Sequence, residues 1–166
     1  MIYDRLVRVI VGAFLVAGIV ALAAPVAAQT LKGDGGDNKL RGSARADILN
    51  GRGGDDRLEG RGGKDRIRGG AGHDVIDGGG GADRIRAGRG SDLVVGGKGG
   101  DTISGGRGQD GINMEDGVEI ASPGDDVIHA VDGERDEISC GEGDDTAYVD
   151  RLEDGVYDCE TVIEPK

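Results

Sequence analysis

The sequence predicts an all-β fold in which short parallel strands coil into a solenoid with two facing sheets. Three observations indicate this fold. Residues 33–113 divide into nine blocks of nine residues without an insertion, an aliphatic side chain recurs at the eighth position of every block, and the first six positions are dense in glycine. A short fixed period is the signature of a solenoid, because each unit buries its apolar side chains only against its neighbours.

Each block is predicted to contain a glycine-rich bend at positions 1–6 and a three-residue strand at positions 7–9. Glycine occupies position 1 in eight blocks and position 4 in eight blocks, and it tolerates the positive φ angles that tight bends require. Because side chains alternate along a strand, only position 8 faces the core, and two blocks make one 18-residue coil. The nine predicted core residues are Leu40, Leu49, Leu58, Ile67, Ile76, Ile85, Val94, Ile103 and Ile112.

Aspartate recurs at position 6 in eight of the nine blocks. In an 18-residue coil, each carboxylate stacks above the one 18 residues later, and such neighbours repel unless a cation lies between them. Ca²⁺ is favoured because it takes six to eight oxygen ligands in flexible geometry, whereas Mg²⁺ demands a near-ideal octahedron and soft metals prefer thiol or imidazole ligands. The predicted ligands are Asp47, Asp56, Asp65, Asp74, Asp83, Asp92, Asp101 and Asp110, with Asn38 of the first block as a weaker candidate.

The apolar content of the repeat is low for its length. Nine aliphatic side chains, with only three Tyr and one Phe in the whole chain, offer little burial to offset the ordering of 81 glycine-rich residues. We therefore expect calcium binding and folding to be one event. A flexible linker or fibre is the alternative for a glycine-rich chain, but neither places Asp and aliphatic residues in strict phase.

The blocks resemble the RTX, or haemolysin-type, calcium-binding nonapeptide family, whose repeat is written GGxGxDxUx. Residues 69–77, 78–86, 96–104 and 105–113 match the full motif. The resemblance implies a right-handed parallel β-roll with Ca²⁺ in the turns between successive coils. It implies about five to seven ions in the repeat region, with weaker sites where Arg45 replaces the position 4 glycine and where Asn38 lacks a charge.

The N-terminus is typical of a secretory signal. Arg5 and Arg8 precede an uncharged apolar run at residues 9–24, and small residues suited to cleavage follow at 25–28. We predict a signal peptide at residues 1–28, a location outside the cell or at the exterior of its envelope, and no membrane span after cleavage. An uncleaved anchor is the alternative, although the apolar run is short for a span.

The predicted β-roll domain occupies residues 29–113, and residues 114–166 are predicted to form degenerate coils and an acidic C-terminal cap. This tail holds 3 Lys and Arg against 18 Asp and Glu, within a chain of net charge −12. The only two cysteines, Cys140 and Cys159, are expected to form a disulfide that staples the cap. Fragments of the repeat return here and give three weaker candidate ligands, with ordinary turn acids as the alternative: Asp126, Asp136 and Asp145.

The predicted function is a secreted calcium-binding protein that acts as a structural or adhesive module. The alternative is a calcium-responsive partner of another secreted protein or of an anionic surface glycan. For that ligand, the 18-residue coil aligns four exterior arginines into a candidate patch: Arg66, Arg68, Arg84 and Arg86. The alternative is a solvated strand exterior whose charges discourage aggregation.

Other functional classes are disfavoured. The acidic charge and the scarcity of aromatic residues argue against a nucleic-acid partner. No G-x-S-x-G or H-E-x-x-H motif occurs, so we predict no enzyme activity. A glycan hydrolase with paired acids is a remote alternative.

Overall fold

The computed structural model describes residues 27–115, 118–119, 124–150 and 155–165, and this part of the chain contains strands and turns without a helix. No segment in these ranges is both helical and long and apolar enough to cross a membrane. The predicted signal peptide lies outside the described residues, except for its last two positions. The strands are β1 (Thr30–Lys32), β2 (Lys39–Arg41), β3 (Ile48–Asn50), β4 (Arg57–Glu59), β5 (Arg66–Ala71), β6 (Val75–Gly80), β7 (Arg84–Arg89), β8 (Leu93–Lys98), β9 (Thr102–Arg107), β10 (Gly111–Ile112), β11 (Met114–Glu115), β12 (Val118–Glu119), β13 (Val127–Ala130), β14 (Glu137–Ser139), β15 (Thr146–Val149), β16 (Gly155–Tyr157) and β17 (Thr161–Ile163).

Two parallel sheets contain all of these strands except a short antiparallel hairpin of β11 and β12. The eight-stranded sheet has the order β1-β3-β5-β7-β9-β13-β15-β17, and the seven-stranded sheet has the order β2-β4-β6-β8-β10-β14-β16. Through β10, consecutive strands alternate between the two sheets, so each coil contributes one strand to each. The register is 18 residues, as in the pairing of Ile67 with Ile85 and of Ile76 with Val94. The predicted all-β parallel solenoid is confirmed.

The core lies between the two sheets and consists of the position 8 side chains. Eight of the nine predicted core residues are buried, and most strands alternate between exposed and buried positions. Leu40 is the exception and is half-buried, because β2 is an end strand of its sheet with a neighbour on one side only. Core burial therefore follows the sequence period and weakens at the end of the solenoid.

Strand length differs from the prediction in the middle of the repeat. Five strands, β5 to β9, have six residues instead of three. Their register continues past position 9 into the next block, where Gly70 pairs with Gly88 and Ala71 pairs with Arg89. Extended backbone there can pair across coils because the glycines at positions 1 and 2 have no side chains to obstruct it.

The solenoid also extends beyond the nine blocks at both ends. At the N-terminal end, β1 pairs with β3 and places Leu31 in register with Leu49. In the tail, Ile128 pairs with Ile103 across 25 residues, and β14 and β16 continue the seven-stranded sheet. Strand pairing therefore tolerates a longer connection in one coil, since only the register of the inward residues must be kept.

Candidate metal centre

Two rows of aspartates run along the bends, one on each edge of the solenoid. In each row, the backbone N–H of one position 6 residue donates to the carboxylate Oδ1 one coil later, as from Asp65 to Asp83 and from Asp74 to Asp92, both at 2.8 Å. These bonds hold every carboxylate at the same place in its bend. One row contains Gln29, Asp47, Asp65, Asp83, Asp101, Asp126, Asp145 and Glu160, and the other contains Asn38, Asp56, Asp74, Asp92, Asp110 and Asp136.

The second carboxylate oxygen, Oδ2, is buried in nine of these aspartates and has no hydrogen-bond partner among the described residues. An unpaired buried acceptor destabilises a fold by about 1–3 kcal/mol, and native proteins keep few of them. A regular series of nine therefore indicates that something outside the protein satisfies these oxygens. The nine residues are Asp56, Asp65, Asp74, Asp83, Asp92, Asp101, Asp110, Asp126 and Asp145.

Glycine at position 1, which every block has except the one that begins with Ala87, leaves space for a cradle of oxygen atoms. A Cβ added to Gly78 would lie 2.7 Å from Oδ2 of Asp83 and would collide with the backbone carbonyl oxygen of Gly96, one coil later. The same pair of oxygens, a carboxylate of the block and a carbonyl of the next coil, flanks Gly51, Gly60 and Gly69. A side chain at position 1 would fill this cradle, which explains the glycine there.

Burial raises the pKa of eight aspartates in the two rows: Asp65, Asp74, Asp83, Asp92, Asp101, Asp110, Asp126 and Asp145. For Asp92, burial is the main cause and the charges of Asp110 and Asp74 add to it, so that its pKa rises to about 7 although the Asp74 N–H bond acts in the opposite direction. Burial likewise raises the pKa of Asp126 to about 7 and that of Asp65 to about 6. In both rows, ionisation of these carboxylates therefore destabilises the fold unless a positive charge lies nearby.

Asp47 differs from the later members of its row. Its Oδ2 accepts a 2.9 Å hydrogen bond from the Ser43 hydroxyl and another bond from the Ser43 backbone N–H. Burial acts to raise the pKa of Asp47, but the bonds from Ser43 and Gln29 outweigh it and lower the pKa. The carboxylate is thus satisfied by the protein itself.

Asn38 is similarly engaged in the first block. Its Oδ1 accepts a 2.8 Å hydrogen bond from the backbone N–H of Asp34, and its Nδ2 donates to the Asp34 carboxylate at 3.3 Å. Neither Asn38 nor Asp47 therefore presents the unpaired oxygen that the later blocks present.

The tail residues Asp126, Asp136 and Asp145 join the two rows at the same position in the bend as the repeat aspartates. Glu160 ends one row, where its Oε2 accepts the Asp145 N–H at 2.9 Å. The sequence prediction missed Glu160 because it followed Asp at position 6. The signal was present, since an acid stands directly before the triplet Thr161–Ile163, whose middle residue is aliphatic.

The predicted disulfide between Cys140 and Cys159 is confirmed. Cys140 follows β14 and is buried in the core, and Cys159 lies between β16 and β17. The bond therefore ties the end of β14 to the segment between β16 and β17, the last strands of the two sheets, where a solenoid has no further coil to cover it.

The ligand atoms that these bends offer are oxygens. No three His, Cys, Asp or Glu side chains among the described residues converge on one point, so a cation in a bend must draw part of its ligands from the backbone. Ca²⁺ fits this donor set, since it binds carboxylates together with backbone carbonyls. Unpaired Oδ2 atoms beside carbonyl oxygens are consistent with such sites.

The comparison with known families agrees with this geometry. The sequence model of the family described as RTX calcium-binding nonapeptide repeat (4 copies) matches residues 32–67, 59–94 and 77–112. No curated protein and no solved structure matches the chain. Residues 32–112 therefore consist of RTX calcium-binding nonapeptide repeats.

Proposed function

We propose that this protein is a secreted structural module that folds when Ca²⁺ binds in its bends. RTX repeats in a β-solenoid form a calcium-binding structural fold, rather than a typical catalytic one. The observation that carries the proposal is the series of nine buried Oδ2 atoms without hydrogen-bond partners. Ca²⁺ would supply positive charge and coordination to these oxygens.

The ligands would be the position 6 carboxylates together with backbone carbonyl oxygens of the neighbouring coils. We assign about five to seven ions to the repeat region, one for each of the five stacked aspartate pairs that begin at Asp56, Asp65, Asp74, Asp83 and Asp92, and up to two more for the weaker pairs that begin at Asn38 and Asp47. Asp126, Asp136 and Asp145 would extend the two rows into the tail. Asp47 and Asn38 would contribute least, because other groups of the protein already bond their side chains.

Folding would depend on the ion because the metal-free bends bury unpaired carboxylates. The core between the sheets consists mainly of one aliphatic side chain per block, which gives limited apolar burial. Ionised carboxylates in a buried row oppose folding through lost hydration and mutual repulsion. Binding energy from the ion would therefore appear as folding free energy.

Several features support export. RTX repeats are typical of extracellular proteins, and the Cys140–Cys159 bond suits an oxidising compartment. We propose that residues 1–28 are a signal peptide and that residues 114–166 serve as the acidic cap of the roll. Mass spectrometry of the exported protein should give a chain that begins at Gln29, whereas recovery of the full chain in the membrane fraction would contradict cleavage.

Calcium titration of the chain from Gln29 onward tests the proposal most directly. We expect circular dichroism to change from a disordered to a β-sheet spectrum as calcium is added, and calorimetry to count several ions. Magnesium at the same concentration is the matched control and should leave the chain largely disordered. A chain that keeps its sheet spectrum in excess EGTA and takes up no calcium would refute the proposal.

A further inference from the structure

The exterior of the eight-stranded sheet carries no carboxylate on any of its described strands. This is unusual for a chain with 32 Asp and Glu against 20 Lys and Arg. Its outward positions hold cationic, hydroxyl, amide, aliphatic and aromatic side chains. They are Thr30, Lys32, Ile48, Asn50, Arg66, Arg68, Ala71, Arg84, Arg86, Arg89, Thr102, Ser104, Arg107, Val127, His129, Thr146, Tyr148, Thr161 and Ile163.

The seven-stranded sheet has a different exterior. It mixes both charges, since Glu59, Asp77 and Glu137 occupy outward positions beside cations. Arg41 of β2 forms a 2.6 Å ion pair with Glu59 of β4. The exterior of the seven-stranded sheet therefore carries both positive and negative side chains, whereas that of the eight-stranded sheet carries positive ones only. The coiled fold by itself does not require this difference.

Four arginines form the centre of the one-sided face. Arg66 pairs in register with Arg84, and Arg68 pairs with Arg86, so the four belong to the adjacent strands β5 and β7. All four are exposed, and none makes an ion pair with a carboxylate in the described part of the chain. Like charges opposite each other on neighbouring strands destabilise a sheet. Folding therefore does not explain this arrangement, which suits the binding of an anion.

The flanks of the arginine cluster are polar but uncharged, and they continue along the coil axis. Asn50 lies on one side in β3, and Ser104 lies on the other side in β9. Beyond Ser104, the rings of His129 and Tyr148 stack with centroids 4.6 Å apart and planes within 12°. These side chains succeed one another at the strand spacing of about 4.8 Å. The result is a straight track across the sheet.

We propose that this track binds a linear acidic polysaccharide that runs along the coil axis. The inference rests on the proposed function, because the calcium-loaded roll must form before the strands align. Arginine guanidinium groups donate paired hydrogen bonds to carboxylate or sulfate oxygens. The amide and hydroxyl groups beside them suit the hydroxyls of sugar rings, and the two stacked rings offer an amphipathic surface at one end of the track.

Charge and shape favour this ligand over an anionic membrane. The rest of the molecule is acidic, so an acidic polymer is attracted only where the carboxylates are absent. The four aligned arginines occupy a narrow strip on β5 and β7 with Asn50 and Ser104 on its flanks, and Arg89 and Arg107 add a second aligned pair of exposed cations on β7 and β9. This strip matches one polymer chain better than a lipid surface. Bound Ca²⁺ in the bends on both edges of the sheet would add positive charge to the same region.

The test uses the chain from Gln29 onward in saturating calcium, with hyaluronate as the acidic polysaccharide. Uncharged dextran and vesicles that contain phosphatidylserine are measured in parallel. We expect hyaluronate binding that weakens as salt is added, and no binding to dextran. Arg66→Ser with Arg84→Ser should weaken binding about tenfold, and the further changes Arg68→Ser and Arg86→Ser should abolish it.

The matched control is Lys39→Ser with Arg57→Ser. These two cations are aligned on neighbouring strands at the same block position of the opposite sheet, so the variant loses the same charge. It should bind hyaluronate as well as the unmodified chain does. Equal loss of hyaluronate binding in both double variants would overturn the polysaccharide proposal. So would a result in which vesicle binding depends on the four arginines and hyaluronate binding does not.

Circular dichroism and the calcium stoichiometry are recorded on the same samples. A chain that does not fold with calcium would contradict the proposed function. A chain that folds normally with calcium but does not bind hyaluronate would contradict this inference alone.

Discussion

The first two bends of the solenoid differ from the later bends in the hydrogen bonds that the side chain at position 6 receives. This side chain is Asn38 in the first bend and an aspartate in the bends of the other eight blocks. In the second bend, Ser43 bonds the Asp47 carboxylate, and the pKa of Asp47 is lowered although burial acts to raise it. In the later bends, such as that of Asp83, a glycine replaces this serine and Oδ2 is buried without a partner. In this fold, an aspartate Oδ2 is thus available to a cation only where no group of the same bend donates a hydrogen bond to it.

Backbone conformation separates the two groups of bends in the same way. Glycines at position 4 of the later bends adopt positive φ, as Gly81 does at 130°, whereas Gly36 and Arg45 of the first two bends do not. At position 2, even Arg52 and Arg61 are held at positive φ, near 80°. The later bends therefore share one left-handed backbone conformation, which glycine adopts without strain and which only Arg52 and Arg61 adopt at a cost.

The largest expected effect comes from a change at position 4. Gly81→Ala forces a left-handed conformation on alanine and a collision with the Gly63 carbonyl oxygen, so we expect a loss of more than about 3 kcal/mol in the free energy of unfolding. Gly36 occupies the same position of the first bend, and a Cβ added there would make only ordinary van der Waals contact. Gly36→Ala should therefore change the free energy of unfolding by less than about 0.5 kcal/mol. Urea unfolding in saturating calcium measures both, and equal losses would erase the distinction between the bends.

The next effect concerns the ligands. Asp83→Asn keeps the Oδ1 acceptor but removes the charge, so it should lower the calcium stoichiometry by at least one ion and remove about 2.7 kcal/mol of stability at 100 times Kd. Asp47→Asn should leave the stoichiometry unchanged, because the Asp47 carboxylate is bonded by Ser43. Titration calorimetry counts the ions. Loss of an ion in the Asp47 variant would show that the Ser43 bonds do not exclude calcium.

The second bend can also be converted into the type of the later bends by mutation. Ser43→Gly combined with Arg45→Gly gives the second block the glycines of the later blocks and frees Oδ2 of Asp47. We expect this variant to bind one more calcium ion than the unmodified chain. The variant with Ser43→Gly alone serves as the control for the loss of the hydrogen bond. No gain in stoichiometry would mean that the end of the solenoid lacks the neighbouring coil that a site needs.

The smallest expected effect is on pH dependence. The pKa values of Asp65 and Asp92 rise from an ordinary value near 3.8 to about 6 and about 7 in the folded chain. A raised folded pKa adds stability below the unfolded value, and this stability disappears as the pH rises through the folded value. Metal-free protein in EGTA should therefore be more structured at pH 5 than at pH 8, as measured by circular dichroism. A spectrum independent of pH would contradict the burial of these carboxylates.

Much of the fold could be predicted from local pattern. The strict phase of Leu, Ile and Val at position 8 indicated the strands, the 18-residue coil and the parallel register. The same phase placed the position 6 aspartates in two stacked rows and the four arginines on one sheet. The tail could not be placed as firmly, because the connection before Asp126 lengthens the repeat from 18 to 25 residues and hides the period.

The sequence by itself therefore determined the repeating unit, since the bend and the strand of each block depend on glycine content and side-chain alternation within nine residues. Only the tertiary structure decided which carboxylates keep an unpaired oxygen, that Glu160 completes a row, and that β1 adds a strand before the first block. Those features depend on hydrogen bonds between positions of a folded bend or between successive coils. Such contacts exist only once the chain has coiled upon itself.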